Sequence, residues 1–93
     1  MKIVINACHG GFSVTEEVYK YCGLEWDDYD SYFRIDKNKT NLKLIEFIEK
    51  YGSKAASGDY AKLKVIEIPD DVEWDIQEID GWEWIAEKHR TWE

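Results

Sequence analysis

The sequence predicts a small α+β domain of α/β type, with two helices on one face of a mixed four-stranded sheet in the order β-α-α-β-β-β. Three features predict it. A β-forming run opens the chain, two stretches carry apolar residues at helical spacing, and Asp80-Gly81 between two alternating runs marks a C-terminal β-hairpin. Ninety-three residues make a single domain, 1–93, with no internal repeat and no linker.

Lys2 to Cys8 reads as the first strand, with Ile3-Val4-Ile5 apolar on both faces. His9-Gly10-Gly11-Phe12 follows as a turn. Ser13 with Glu16 three residues on forms a capping box, and Val14, Val18 and Tyr21 or Cys22 share one side of the helix it opens. Gly23 suits the helix end. From Leu24 to Asn38 periodicity is lost, and the acidic, aromatic Glu25–Asp30 reads as an exposed loop.

A second helix is predicted from about Thr40 to Tyr51, its stripe being Leu44, Phe47, Ile48 and Tyr51, with Gly52 as the stop. Ser53 to Asp59 reads as a loop. Lys62 to Ile68 is a strand by its β-formers, ended by Pro69. Val72 to Glu78 and Trp82 to Glu87 form the hairpin, with Trp74 and Ile76 on one face and Trp82, Trp84 and Ala86 sharing a face of the partner strand, a source of cross-strand aromatic pairs.

Composition narrows function. A chain this short buries only about 60–65% of its unfolded surface, so five Trp, six Tyr and three Phe are needed to fill a modest core. No apolar run is long enough to span a bilayer, and the opening residues do not form an export signal, which predicts a cytoplasmic protein with Cys8 and Cys22 as free thiols. Neither cysteine belongs to a zinc-type pair, and no metal or other cofactor is expected.

The net charge of −8 argues against direct nucleic-acid binding and against anionic membranes. Its distribution is uneven. Between Arg34 and Lys64 the bases Arg34, Lys37, Lys39, Lys43, Lys50, Lys54, Lys62 and Lys64 outnumber the acids, whereas every charge from Glu67 to Glu83 is negative. That acidic run is either the solvated face of a hairpin or an imitation of a phosphate row.

Candidate ligand contacts concentrate at two places. The turn His9-Gly10-Gly11-Phe12-Ser13 either opens a helix N-terminus to an anion or merely turns the chain. Arg34 and the tail residues His89, Arg90 and Trp92 offer guanidinium groups for phosphate and rings for stacking. Together they would make a pocket for a nucleotide. Cys8 and His9, as strand neighbours, point apart and do not suit a nucleophile–base pair, so no catalytic residue is assigned.

Met1-Lys2-Ile3-Val4-Ile5-Asn6 with Gly10-Gly11-Phe12-Ser13, the stretch Lys62 to Trp74, Asp80-Gly81, Glu83-Trp84 and Ala86 to Trp92 together resemble a family of small uncharacterised proteins encoded by bacteriophages and prophages. The resemblance spans nearly the whole chain and departs at Trp26 to Lys39. It implies a phage accessory protein acting against host defences in the cytoplasm of an infected bacterium. The resulting expectation is a non-enzymatic homo-oligomer that sequesters a small nucleotide-like ligand. The alternatives are an inhibitor that grips a host protein through the acidic hairpin and, third, a small hydrolase.

Overall fold

Why the chain folds as it does is clearest at its two β-ribbons. The computed structural model describes residues 1–26, 31–71 and 73–87. Strand β1 (Lys2–Asn6) pairs antiparallel with β2 (Leu63–Glu67), and β3 (Trp74–Ile79) pairs antiparallel with β4 (Trp82–Glu87). The predicted α+β class holds. The sheet differs from the expectation, being two separate antiparallel pairs in place of one mixed sheet of four.

β1 is buried on both faces, Val4 entering the main apolar cluster while Ile3 and Ile5 are buried on the other side. Such a strand reads as central, yet its ladder has a single strand partner among the described residues. Residues 36–40 and 42–51 and strand β4 pack against it, so burial on two faces did not require a third paired strand.

Helix α1 (Glu16–Cys22) starts later than the capping-box reading has it. Thr15 is its N-cap, and neither Thr15 nor Ser13 caps it by side chain; Ser13 instead packs against Gly58. The reason is a backbone bridge between Val14 and Ser57, which holds residues 13–15 extended. Gly23 ends α1 as expected, donating to the Lys20 carbonyl.

The aperiodic middle is not all loop. A helical turn α2 (Ser31–Arg34) buries Phe33, and a 3-10 helix (Asp36–Thr40) buries Lys39. Helix α3 (Leu42–Tyr51) begins two residues after the expected start because Asn41 accepts from the Lys43 and Leu44 amides through its side chain. Its stripe Leu44, Phe47 and Ile48 is buried as predicted, whereas Tyr51 stays exposed. Ser53–Ala56, expected as loop, forms the short helix α4.

The core lies between α1, α3 and β1: Val4, Val18, Tyr19, Phe33, Leu44 and Phe47 belong to one cluster, with Tyr19 edge-on to Phe33 at 5.4 Å. No side chain of β3 or β4 enters it. The hairpin is held by other means, set out below.

Within the hairpin, Asp80 (φ 50°) and Gly81 (φ 87°) both lie in the left-handed region, the signature of a type I′ turn. A two-residue turn fixes the pairing: Trp74 faces Glu87, Ile76 faces Ile85, Gln77 faces Trp84 and Ile79 faces Trp82. No Trp–Trp cross-strand pair forms. Trp74 and Ile76 share their face with Glu83 and Ile85, and Trp82, Trp84 and Ala86 lie on the opposite one.

Candidate functional site

Asn6, at the end of β1, is fully buried and uses its whole carboxamide. Its Nδ2 donates to the carbonyls of Cys8 and Gly81, each at 2.7 Å, and its Oδ1 accepts from the Lys62 amide at 2.8 Å and from the Cys8 thiol at 3.4 Å. One side chain thus ties the exit of β1, the entry to β2 and the hairpin turn. The close approach at the turn requires glycine at position 81. A Cβ on Gly81 would lie 2.8 Å from the Gly11 Cα and the His9 carbonyl oxygen.

Glu83 points inward from β4. It is 6% exposed, and Lys39, from the 3-10 helix, is 3% exposed. Glu83 Oε1 accepts from the Asn6 amide at 3.0 Å, and Oε2 accepts from Lys39 Nζ at 2.8 Å. Lys39 Nζ also donates to Asp36 Oδ1 at 3.2 Å and stands 4.4 Å from the centre of the Phe12 ring. A buried ammonium is tolerable only with such partners: two carboxylates and an aromatic face replace its water.

These groups form the floor of a cleft of about 460 Å³ between the body and the hairpin. Gly11, Phe12, Arg34, Asp36 and Lys39 line it from the body; Ile76, Glu78, Gly81 and Glu83 line it from the hairpin. Glu78 is turned back on its own loop, where it accepts from the Gly81 amide. Three carboxylates, one guanidinium and one ammonium therefore share this lining. The described lining offers hydrogen-bond acceptors, an aromatic ring and an exposed arginine, and it includes no thiol, hydroxyl or imidazole.

Of the sequence-predicted residues, Gly11, Phe12 and Arg34 converge on this cleft. His9 sits beside it, exposed, with its ring 5.0 Å from that of Trp82. Gly10 packs against the backbone of Tyr60, and Ser13 lies at Gly58, so neither lines the cleft. His89, Arg90 and Trp92 lie outside the described residues, as do Val72 and positions 27–30 of the predicted loop.

The anion cradle at a helix start does not form. The helix opens at Glu16, five residues after Gly11, and its first turn holds Glu16 and Glu17. Two carboxylates there already occupy the positive end of the helix. Cys8 shares its single thiol proton between Asn6 Oδ1 and the Tyr60 carbonyl, 3.1 Å away, while the His9 ring lies tilted against that of Trp82. The two neighbours take separate partners, but strand alternation is not the cause, because β1 ends at Asn6 and not at Cys8 as expected.

Lys39, Glu83, Glu78 and Ile76 were not singled out by sequence as ligand contacts. For Glu83 a signal existed: counting outward from a two-residue turn places it on the face of Ile76. Lys39 gives no such signal, since nothing local distinguishes it from Lys37 two residues before.

Among the described residues, no three His, Cys, Asp or Glu side chains gather as a metal site, and no helix is long and apolar enough to cross a membrane. No family model matches the chain, and no curated protein or solved structure matches it either.

Proposed function

We propose that this chain is a non-enzymatic accessory protein that holds a small nucleotide-like ligand in the cleft between body and hairpin. The observation that carries the reading is the convergence of Gly11, Phe12 and Arg34 on one cavity from two separate stretches of chain. Carboxylates such as Asp36 and Glu78 accept from ribose hydroxyls and exocyclic amines, and the Arg34 guanidinium takes a phosphate. Acids outnumber bases in the lining, so a nucleoside with a single phosphate group suits it better than a triphosphate. Sequestration of such a ligand fits the phage accessory role that the sequence resemblance implies.

The hairpin favours protein contact over imitation of a phosphate row. Glu83 is buried, and Glu78 is held by Gly81, so the acidic run does not present an even line of free carboxylates. Its exposed side carries Ile79, Trp82 and Trp84.

The test is a thermal-shift screen against mono-, di- and cyclic nucleotides and NAD-derived compounds. A ligand at about 100 times its dissociation constant stabilises the fold by about 2.7 kcal/mol, a rise of several degrees for a domain this size. Arg34→Ala should remove the rise without lowering the melting point of the free protein. A flat panel, or an Arg34→Ala response equal to wild type, would sink the reading.

A further inference from the structure

A second concavity, of about 660 Å³, lies on the opposite chemistry to the cleft. Tyr21 of α1 and Phe47, Tyr51 and the nearby Ala55 form its apolar lining, with Glu17 and Lys20 at its edge. The rings are in mutual contact, Tyr21 being 5.4 Å from Phe47 and 6.0 Å from Tyr51. Lysines overhang them: Lys43 Nζ is 5.6 Å from the Tyr21 ring centre, and Lys50 Nζ is 5.4 Å from that of Tyr51. Two acids stand nearby, Glu17 and Glu46; the Tyr21 hydroxyl donates to Glu46, which also pairs with Lys43 at 3.6 Å. The groove is thus aromatic, with Lys20 and Lys50 as its cations beside the Lys43–Glu46 pair, on a protein whose net charge is −8.

The hairpin has the complementary character. Every charge from Glu67 to Glu87 is negative, and that segment accounts for the protein's acidity. The hairpin face turned away from the cleft exposes Ile79 (60%), Trp82 (42%) and Trp84 (42%), with the exposed acids Glu73 and Asp80 near either end. Apolar side chains flanked by acids meet apolar rings flanked by lysines.

We propose that the hairpin of one copy seats in the α1–α3 groove of a second copy. The contact is heterologous, because two acidic hairpins laid face to face repel whereas an acidic hairpin meets Lys20 and Lys50 at the groove. The strands, at about 20 Å for six residues, span the whole of α3, about 15 Å for ten residues, and overhang it by about one or two residues. Both surfaces remain available on each copy, so the contact repeats from copy to copy. The ribbon is smaller than the roughly 800 Å² per partner of a stable interface, which makes the assembly reversible and dependent on concentration. The inference does not depend on the ligand cleft, which uses the other hairpin face.

Sedimentation of the full chain over a concentration series, at low and at high salt, tests it. Wild type should self-associate at low salt and dissociate as added salt shortens the screening length below about 10 Å. The hairpin variant Trp84→Ser and the groove variant Lys20→Glu/Lys50→Glu should each associate at least tenfold more weakly. Mixed in equal amounts, they should form a one-to-one dimer, since each retains the surface the other has lost. That rescue also shows that both variants are folded. A wild type that stays monomeric at every concentration overturns the proposal and leaves the hairpin to a foreign protein. A groove variant that associates like wild type overturns it in favour of hairpin-to-hairpin contact.

Discussion

Lys39 Nζ donates to Glu83 Oε2 at 2.8 Å across the boundary between the body and the hairpin, with both side chains nearly out of reach of solvent. Because no apolar side chain of the hairpin enters the main core, this pair, the Asn6 carboxamide and the tilted contact of the His9 and Trp82 rings are principal ties between the two parts. Polar docking of this kind depends on geometry. It stabilises only while every partner is in place.

Removing one member of the pair should therefore cost much more than removing both. Lys39→Met leaves the Glu83 carboxylate buried beside an apolar chain, at about 3–5 kcal/mol; the double variant Lys39→Met/Glu83→Leu should recover part of that, the remainder being about 1–3 kcal/mol for the buried Asn6 amide that loses its acceptor. Denaturant unfolding measures both. A single variant within about 1 kcal/mol of wild type would show that the pair is hydrated in solution.

Asn6→Ala strands the carbonyls of Cys8 and Gly81 and the amide of Lys62 together. An unsatisfied buried group costs about 1–3 kcal/mol, so the total should exceed that of an ordinary surface change several times over. Asn6→Asp keeps the size and should fare no better, because a carboxylate cannot donate to two carbonyls. Hydrogen exchange of the hairpin amides should quicken in either variant. Unchanged protection would mean that the hairpin docks without Asn6.

The hairpin turn separates two adjacent residues. Gly81→Ala should destabilise by more than about 1 kcal/mol, from its positive φ and from the crowding against Gly11 and His9. Asp80→Asn should be neutral to within about 0.5 kcal/mol, since asparagine accepts the left-handed conformation readily. Melting temperatures of the two variants decide this, and equal losses would contradict the type I′ geometry.

Tyr21 donates its hydroxyl to Glu46, and this hydrogen bond, helped by burial and by the Glu46 charge, pushes the phenol up to about 12. The same bond, with the Lys43 charge, holds Glu46 below its ordinary value of 4.5. The signs differ in consequence. A raised phenol gives stability that is present below its unfolded value near 10 and is lost as pH rises through about 12. A lowered carboxyl gives stability present above 4.5 and lost as pH falls through its depressed folded value. Glu46→Ala should return the Tyr21 phenol toward 10, read by ring-carbon NMR of labelled tyrosine. A titration unmoved by the substitution would refute the pairing.

Local pattern made much of the fold legible. The Asp80-Gly81 signal yields the I′ turn, and the strand Trp82–Glu87 has the bounds expected of it. The stripe of Leu44, Phe47 and Ile48 is the buried face of α3, and Gly23 ends α1. In each case residues near in sequence decide the outcome through dihedral preference or periodic burial. The start of α1 departs from the local pattern because the Val14–Ser57 bridge, between residues far apart in the chain, overrides the Ser13 capping box.

The candidate site was legible in part. Gly11, Phe12 and Arg34 stand out by type and setting, so sequence marks them as available for a ligand. Their meeting in one cleft depends on where α2 and the hairpin come to rest, which pairwise contacts across the whole chain determine. Sequence by itself determined the class of fold, the hairpin turn, the helix stripes and the concentration of acid after residue 66, because propensity, period and charge are properties of short stretches. Only the tertiary structure decided that the strands divide into two ribbons and that Glu83, one acid among many, is buried on Lys39. Burial and ion pairing are relations between distant residues, and a desolvated charge is stable only where the fold brings its partner.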